Sequence, residues 1–285
     1  MKLRAVPKEA TDMMSNLRSM ASQDGGNTRS VIVDGISKKF GHGIFANAVL
    51  SDVSFSVEKN IAVGLVGESG SGKSTIGKIV CGMYGFDAGR LILADRQILP
   101  GQRLPTEVRR VISYIPQNPY SSFNPRLTLG QSLVEAISPM SSRMGRNRKT
   151  IVAWLERVGL PVDSADRFPH EFSGGQLQRL AIARGLICNP VIVVADEITS
   201  ALDVSVQVQI LSLLAELREE HGFAMLFISH DLAVVRNVCE QVMVMQSGEI
   251  VERGVSETVL TNPSHPYTQR LLDSIPGSPT FSLRI

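Results

Sequence analysis

The stretch GESGSGKST, residues 67–75, decides the fold of this chain. It fits the pattern G-x-x-x-x-G-K-[ST], in which glycines expose backbone N–H groups to phosphate oxygens and a lysine adds positive charge. The apolar run IAVGLVG, residues 61–67, predicts a buried strand before it, and STIGKIVCGMYG, residues 74–85, predicts a helix after it. A phosphate in this loop would face the N-terminus of that helix. The sequence therefore predicts a phosphate-binding loop between a strand and a helix.

Two acidic residues follow another apolar run. VIVVADE, residues 191–197, ends in Asp196 and Glu197. A loop of this kind requires an acid near the Mg²⁺ that accompanies nucleotide phosphates. We expect Lys73 to reach the β- and γ-phosphates and Asp196 to hold the Mg²⁺ shell with Ser74, while Glu197 orients and polarises the attacking water. Without the loop, an Asp-Glu pair after a strand would more often be a solvated turn.

A second stretch, EFSGGQLQR, also has the features of an anion site. Ser173 is a favourable N-cap, and Gly174 and Gly175 would let a ligand approach bare backbone amides at the start of a helix. The following GGQLQRLAIARGLI predicts an amphipathic helix, whose dipole favours negative charge at its beginning. Taken alone, such a stretch would more often be a capped helix that binds no ligand.

The remaining pattern predicts an α/β fold. Short apolar runs such as AMLFIS and QVMVM alternate with helical patterns such as SVQVQILSLLAELREEHG, which indicates a mostly parallel sheet covered on both faces. We divide the chain into a loosely ordered N-terminal extension (residues 1–30), one nucleotide-binding domain (31–275) and a C-terminal tail (276–285). A helical subdomain is expected at about residues 118–180. An alternative for part of the extension is an amphipathic docking helix in DMMSNLRSM.

Composition excludes some classes of function. The formal net charge of +2 is too small to attract a polyanion through the global field, so no nucleic-acid partner is expected. No run of 18 apolar residues is present, and the N-terminus lacks the apolar core of a secretory signal, so we expect a cytoplasmic protein. The cysteines have no metal-ligand spacing and are interpreted as buried, reduced thiols. They are Cys81, Cys188 and Cys239.

Taken in order, these motifs resemble those of the ATP-binding subunits of ABC transporters. The resemblance covers about residues 30–275. It implies an α/β P-loop NTPase fold with an antiparallel β subdomain and an inserted helical subdomain. The matching elements are the Walker A loop with Lys73 and Ser74, the Q-loop at Gln117, the signature FSGGQ (172–176), the Walker B strand VIVVADE (191–197), the D-loop SALD (200–203) and the switch histidine His230.

The resemblance assigns roles within the chain's own ATP site. Glu197, His230 and Gln117 would be catalytic, with His230 contacting the γ-phosphate and Gln117 sensing Mg²⁺ and the attacking water. The metal ligands would be Ser74, Gln117 and Asp196. Phe40 stands where an aromatic ring stacks on adenine, although core packing or plain exposure are alternatives for it. The ATP-binding loop residues would be Gly67, Glu68, Ser69, Gly70, Ser71, Gly72, Lys73, Ser74 and Thr75.

The resemblance also gives the second anion site a ligand. In this family two ATP-binding domains meet head to tail, and each ATP lies between the Walker A loop of one and the signature of the other. The signature here would contact ATP bound by the partner, and Asp203 belongs to the D-loop. Two departures are Phe172, where leucine is commonest, and Ile198, where proline is frequent. The signature residues are Ser173, Gly174, Gly175 and Gln176.

Two further stretches resemble the subfamily that energises bacterial uptake of dipeptides, oligopeptides and nickel complexes. They are PQNPYSSFNPRLT, residues 116–128, which lies near the permease contact in that subfamily, and NPSHPYTQRLL, residues 262–272, which opens a C-terminal tail. The alternative for HPYT is a capped surface helix without a functional role. The resemblance thus implies an ATPase subunit that energises solute uptake, with di- or oligopeptides as the expected solutes.

The implied partners are a second ATP-binding subunit, preferably a different chain, two integral-membrane permease subunits and a solute-binding protein. The implied location is the cytoplasmic face of a bacterial inner membrane. An exporter subunit would share every catalytic residue and differ in its permease. A soluble ABC ATPase acting on nucleic acid or the ribosome is a second alternative. A P-loop kinase is a third, and it leaves the signature and the switch histidine unexplained.

Overall fold

The computed structural model describes residues 29–41, 47–139 and 145–274. Almost all of the predicted N-terminal extension and the whole of the predicted tail, 276–285, lie outside these ranges, and so does the possible docking helix in DMMSNLRSM. The strands are β1 (Arg29–Phe40), β2 (Asn47–Glu58), β3 (Ala62–Val66), β4 (Ala88–Leu93), β5 (Arg96–Ile98), β6 (Ile112–Ile115), β7 (Ile192–Asp196), β8 (Ala224–Ile228), β9 (Gln241–Gln246) and β10 (Glu249–Val255).

Most of the α-helices lie in the second half of the chain. They are α1 (Lys73–Val80), α2 (Thr106–Arg110), α3 (Leu129–Ile137), α4 (Arg148–Arg157), α5 (Gly174–Leu186), α6 (Val204–His221), α7 (Leu232–Val238), α8 (Ser256–Thr261) and α9 (Pro266–Asp273). Single 3₁₀ turns occur at Pro119–Ser122, Gly145–Asn147, Val162–Asp166 and Pro169–Glu171.

The central sheet brings the predicted motifs to one edge. Its strand order is β10-β9-β3-β8-β7-β6, and all neighbours are parallel except β10 with β9. The phosphate loop follows β3, His230 follows β8, Asp196 ends β7, and Gln117 follows β6. Since β3, β8, β7 and β6 are consecutive in the sheet, their carboxyl ends form a continuous edge, the usual position of ligand sites in α/β sheets.

A second, antiparallel sheet has the order β2-β1-β4-β5. It packs with α1 against one face of the central sheet, while the other face packs against the later helices. Successive residues of β3 face opposite sides of the sheet. Val63 and Leu65 pack in the core shared with the antiparallel sheet and α1, whereas Ala62 and Val66 pack in the core shared with the later helices. The predicted α/β fold, with its sheet covered on both faces, is therefore confirmed.

Between β6 and β7 the described residues form helices and turns. Two polar contacts tie this segment to α6: Arg157 forms an ion pair with Glu220, and Arg179 donates to Gln209 Oε1 over 2.8 Å. The structure differs from the sequence interpretation in α5, which was predicted to be amphipathic. This helix is buried on nearly all sides, because the inserted helices cover the face that would otherwise meet solvent. Even the polar side chain of Gln178 is buried, with 1% of the residue exposed.

Candidate nucleotide site

The phosphate loop follows a path that requires glycine at two positions. Gly67 has a φ of 155° and Gly72 a φ of 108°, a region that L side chains rarely adopt. A Cβ at Gly67 would lie 2.1 Å from the backbone oxygen of Met245, and one at Gly72 would lie 3.0 Å from that of Val49. At these two positions the loop backbone therefore packs directly on neighbouring backbone.

Lys73 lies inside the curve of this loop. Its Nζ donates to the carbonyl oxygens of Gly67 and Glu68, both over 2.8 Å, and the residue is 4% exposed. Burial lowers the pKa of Lys73, and the negative charges of Glu197 and Asp196 act against this shift. Ser71 is also buried there, and its Oγ lacks a hydrogen-bond partner among the described residues. Both groups are suited to binding phosphate oxygens.

A hydroxyl and a carboxylate meet where the first helix begins. Ser74 Oγ donates to Asp196 Oδ1 over 3.0 Å, and the hydroxyl of Tyr114 donates to Asp196 Oδ2 over 2.7 Å. Burial raises the pKa of Asp196, although these two hydrogen bonds act in the opposite direction. The oxygens of Ser74 and Asp196 are hard ligands of the kind that Mg²⁺ prefers, so the donor set fits the predicted ion.

Tyr114 was not among the predicted site residues. It lies on β6, three positions before Gln117. In the sequence VISYIP a tyrosine is an ordinary strand residue and gives no sign of a polar contact. Period-two alternation places Tyr114 on the opposite strand face from Ser113 and Ile115, but it does not tell which face meets Asp196. The contact depends on β6 and β7 being neighbours, which only the three-dimensional pairing reveals.

Glu197 has an unusual backbone and two polar neighbours. Its φ is 47°, in the left-handed region that few residues other than glycine adopt, and its N–H donates to Ile228 O over 2.9 Å. Gln117 Nε2 donates to Glu197 Oε2 over 2.9 Å, and His230 Nδ1 lies 3.6 Å from the same oxygen. The structure thus brings the three predicted catalytic side chains together.

Ser200 completes this group and was also missed. Its Oγ donates to the backbone oxygen of Glu197 over 2.9 Å and accepts from Gln117 Nε2 over 3.2 Å. Ser200 begins the predicted D-loop SALD, but a serine three residues after an acid is too common a pattern to predict a contact. Within the described ranges, no group of three or more His, Cys, Asp or Glu side chains is arranged to hold a metal.

Phe40 lies at the end of β1, beside Tyr84, which follows α1 in the sequence. It is 39% exposed, so the alternative of core packing is wrong, while plain exposure remains compatible with the structure. Its ring meets Tyr84 edge to face at 5.5 Å between centroids, and Lys38 Nζ lies 5.3 Å from its centroid. Asp87 fixes this corner by accepting from the Lys39 N–H over 2.7 Å, which holds the pKa of Asp87 below its usual value.

The signature forms the predicted helix cap. Ser173 Oγ accepts from the Gln176 N–H over 3.3 Å, and Gln176 Oε1 accepts from the Ser173 N–H over 3.0 Å. This reciprocal capping box begins α5. The Ser173 hydroxyl accepts in this bond, so its own proton stays available for a further acceptor.

The two signature glycines have different surroundings. A Cβ at Gly175 would lie 2.7 Å from Val206 Cγ1, so the interior of the chain requires glycine there. A Cβ at Gly174 would have nothing within 4 Å, and Gly174 does not have a positive φ. The fold of this chain therefore gives no steric reason for glycine at 174. Asp203, by contrast, caps α6 by accepting from the Val206 N–H over 3.0 Å.

No helix in the described part of the chain is both long enough and apolar enough to cross a membrane.

Comparison with known proteins agrees with this geometry. A family model described as ABC transporter matches residues 50–200. "Putative peptide import ATP-binding protein BAB2_1053" of Brucella abortus (strain 2308) is 41% identical over 273 residues, which cover 93% of this chain and 81% of the relative. A protein with the same designation from Brucella ovis is 44% identical over 252 residues, covering 86% of this chain and 78% of the relative.

Solved structures with the same fold include a dimer of the ATP-binding cassette MJ0796 in a post-hydrolysis state, bound to ADP and Pi. It is 28% identical, has a TM-score of 0.70, and the match covers 79% of this chain and 98% of that one. CbiO1 from Clostridium perfringens, part of an ABC transporter complex, has a TM-score of 0.72 at 23% identity, with 83% and 92% covered, and supports the fold alone. Because the family model matches more than half of the 285 residues and the relatives align over most of their length, this chain belongs to the ABC transporter family, as one of its ATP-hydrolysing subunits.

Proposed function

We propose that this chain hydrolyses ATP with Mg²⁺ at the edge formed by β3, β8, β7 and β6, and that hydrolysis energises the uptake of di- or oligopeptides. The observation that carries the proposal is the convergence of two groups at this edge. Ser74 and Asp196 meet at 3.0 Å, and Glu197 lies within 2.9 Å of Gln117 and 3.6 Å of His230. These are the side chains that phosphoryl transfer to water requires.

The phosphate loop would bind the β- and γ-phosphates through its backbone N–H groups and Lys73. The loop runs from Gly67 to Thr75, and the proposed ATP-binding residues within it include Glu68, Ser69, Gly70 and Ser71. Lys73 Nζ would exchange its bonds to the loop carbonyls for bonds to phosphate oxygens bound inside the loop. Phe40, with its partly exposed ring, would stack on the adenine.

Mg²⁺ would be held by Ser74, Asp196 and Gln117, and when bound it neutralises charge on the phosphate oxygens. Glu197 would accept the proton of the attacking water at a carboxylate oxygen. Gln117 donates to that carboxylate and His230 lies 3.6 Å from the same oxygen, so the carboxylate is oriented before the water arrives. His230, 57% exposed at its side chain, also remains free to reach the γ-phosphate.

The signature would act on ATP held by a partner subunit. Its serine and first glycine lie at an exposed helix start, and Gly174 is unconstrained by its own chain. The solved dimer of a related cassette supports such pairing. We propose a head-to-tail dimer with a second ATP-binding subunit, preferably a different chain. Ser173, Gly174, Gly175 and Gln176 would then contact the partner's γ-phosphate, and the D-loop with Asp203 would lie at the same interface.

The names of the relatives support import of peptides over export, since both Brucella proteins are named for peptide import. The complete system would contain two permease subunits and a solute-binding protein, with this chain at the cytoplasmic face of the inner membrane. We further propose that residues 31–275 form the ATP-binding domain and that about residues 118–180 form the helical subdomain that transmits closure to the permease.

Affinity isolation of the full chain from membranes tests this proposal. We expect a permease pair and a peptide-binding solute receptor to be recovered, together with a second ATP-binding subunit. Recovery of an exporter permease, or of ribosomes or nucleic acid without a permease, would contradict the assignment. ATP hydrolysis by the isolated complex should require Mg²⁺ and should be lost when Lys73 is replaced by alanine.

A further inference from the structure

The HPYT segment contacts the phosphate loop directly. The hydroxyl of Tyr267 accepts a hydrogen bond from the backbone N–H of Glu68 over 3.0 Å, across a sequence separation of 199 residues. Tyr267 is 3% exposed, so its ring packs in the core while its hydroxyl reaches the second residue of the loop. The sequence offered only a capped surface helix or a marker of subfamily for this segment, and neither alternative predicts this contact.

Several hydrogen bonds fix Tyr267 in place. Its N–H donates to His265 Nδ1 over 3.2 Å, which caps the start of α9. Glu252, on β10, accepts from the Ser264 N–H over 2.7 Å and from the His265 N–H over 3.2 Å. Burial raises the pKa of Tyr267, which keeps its hydroxyl neutral at physiological pH. The hydroxyl is therefore a fixed acceptor supplied by the central sheet through α9.

At the other end of this contact, Glu68 is held on both sides of its backbone. Its N–H bonds to Tyr267, and its carbonyl oxygen accepts from Lys73 Nζ over 2.8 Å and from the Ser71 N–H over 3.2 Å. Its side chain is exposed and plays no part in these contacts. The Glu68 N–H and the Gly67 carbonyl belong to one planar peptide, and Lys73 Nζ donates to that carbonyl over 2.8 Å. The orientation of this single peptide therefore links Tyr267 to the loop that surrounds Lys73.

We propose that Tyr267 is a positioning residue for the phosphate loop, which fixes the loop in its nucleotide-binding path through the Glu68 N–H. This deepens the proposed function and rests on the assignment of the loop as the ATP site. Within the loop, the Ser71 N–H is bonded to the Glu68 carbonyl oxygen, whereas the Glu68 N–H bonds outside the loop and needs an acceptor from another element. Tyr267 supplies that acceptor.

The conservative variant Tyr267→Phe tests the proposal, because it keeps the ring and removes only the hydroxyl. Titration calorimetry of ATP and of ADP on the full-length chain should show dissociation constants raised about fivefold, the equivalent of one net hydrogen bond of about 1 kcal/mol. In steady-state hydrolysis KM for ATP should rise by the same factor, while kcat changes less than twofold, because the catalytic side chains are untouched.

Val259→Ala is the matched control. Val259 is buried on α8 in the same core cluster as Tyr267, and it is not part of the loop or of its contacts with Tyr267. Truncation should lower the thermal midpoint at least as much as Tyr267→Phe does, yet leave nucleotide binding within twofold of the unmodified chain. If Val259→Ala weakened binding as much as Tyr267→Phe, or if Tyr267→Phe bound nucleotide normally, Tyr267 would be a packing residue only and the inference would be wrong.

Lys73→Ala separates this inference from the assignment of the loop. We expect that variant to lose ATP binding at least tenfold. If Lys73→Ala bound ATP like the unmodified chain, the loop would not be the nucleotide site and the proposed function would fail. If Lys73→Ala lost binding while Tyr267→Phe retained it, only the positioning role of Tyr267 would be overturned.

Discussion

Glu197 Oε2 accepts a hydrogen bond from Gln117 Nε2 over 2.9 Å, so the acid that follows β7 is held by the amide that follows β6. Gln117 opens the segment that carries the inserted helices, and Glu197 is fixed to the central sheet through its bond to Ile228 O. A movement of the inserted helices relative to the sheet would therefore change the position of the carboxylate. The contact joins the proposed chemistry to the part of the fold that a permease would move.

Replacing Glu197 by Gln should abolish hydrolysis without disturbing the site. The amide oxygen of Gln can still accept from Gln117, so the side chain keeps its place while it loses the negative charge. General-base catalysis contributes about 10²- to 10⁴-fold, and we expect kcat to fall by at least 100-fold. Phosphate release measures the loss, and size-exclusion chromatography with ATP should still detect closed dimers. Near-normal turnover would remove Glu197 from the role of base.

The neighbouring signature glycines offer a matched pair of variants. Gly174→Ala places its Cβ in open space, so the free energy of unfolding should stay the same or rise by about 0.5 kcal/mol, as expected for Ala in a helix. ATP-dependent dimerisation should nevertheless fall about tenfold or more, because the methyl group would face the partner's phosphate. Urea unfolding and analytical ultracentrifugation measure the two effects.

Gly175→Ala should show the converse. Its Cβ would lie 2.7 Å from Val206 Cγ1, so neighbouring atoms would have to shift to make room for it. The strain of that shift should lower the free energy of unfolding by about 1–3 kcal/mol. If Gly174→Ala destabilised the isolated chain as much as Gly175→Ala does, the explanation of Gly174 by an external ligand would be refuted.

Ser173→Ala should impair the ATP site whose Walker A loop belongs to the partner. The loss of the N-cap costs about 1 kcal/mol of helix stability, which leaves the chain folded. The measurement uses mixed dimers in which only one subunit carries the substitution, with single-turnover hydrolysis followed at each site. A defect confined to the substituted chain's own site would contradict the head-to-tail arrangement.

Tyr114→Phe should weaken Mg²⁺ binding in a pH-dependent way. The Tyr114 hydrogen bond lowers the pKa of Asp196, and burial already raises it, so removal of the hydroxyl raises that pKa further. Because Mg²⁺ requires the ionised carboxylate, the half-saturating Mg²⁺ concentration for hydrolysis should increase, and more at pH 6 than at pH 8. An equal increase at both pH values would indicate a purely geometric role for Tyr114.

Much of this site was predictable, because its parts follow apolar strands. The glycines and lysine of residues 67–75 predict a phosphate-binding loop, and parallel strands bring Asp196, Glu197 and His230 to one edge. The contacts of Tyr114, Ser200 and Tyr267 were not predictable. Each depends on which elements are neighbours in space, and a tyrosine in a strand or a serine in a turn has no distinctive spacing.

The predicted amphipathic character of α5 failed for a related reason. Periodicity assumes that a helix has one neighbour and one solvent-facing side. Here α3 and α4 cover α5 from the side opposite the sheet, so polar residues such as Gln178 are buried as well. A sequence pattern describes a single helix, whereas burial depends on all of the elements packed around it.

The contact between Tyr267 and Glu68 also bears on biosynthesis. The phosphate loop leaves the ribosome well before its acceptor, since 199 residues separate the two. At about 5–20 residues per second, the interval is on the order of 10 to 40 seconds. During that time the nascent loop can form its turn, but the Glu68 N–H has no internal acceptor. Full affinity for nucleotide would thus appear only after Tyr267 has been synthesised and α9 has folded onto the loop.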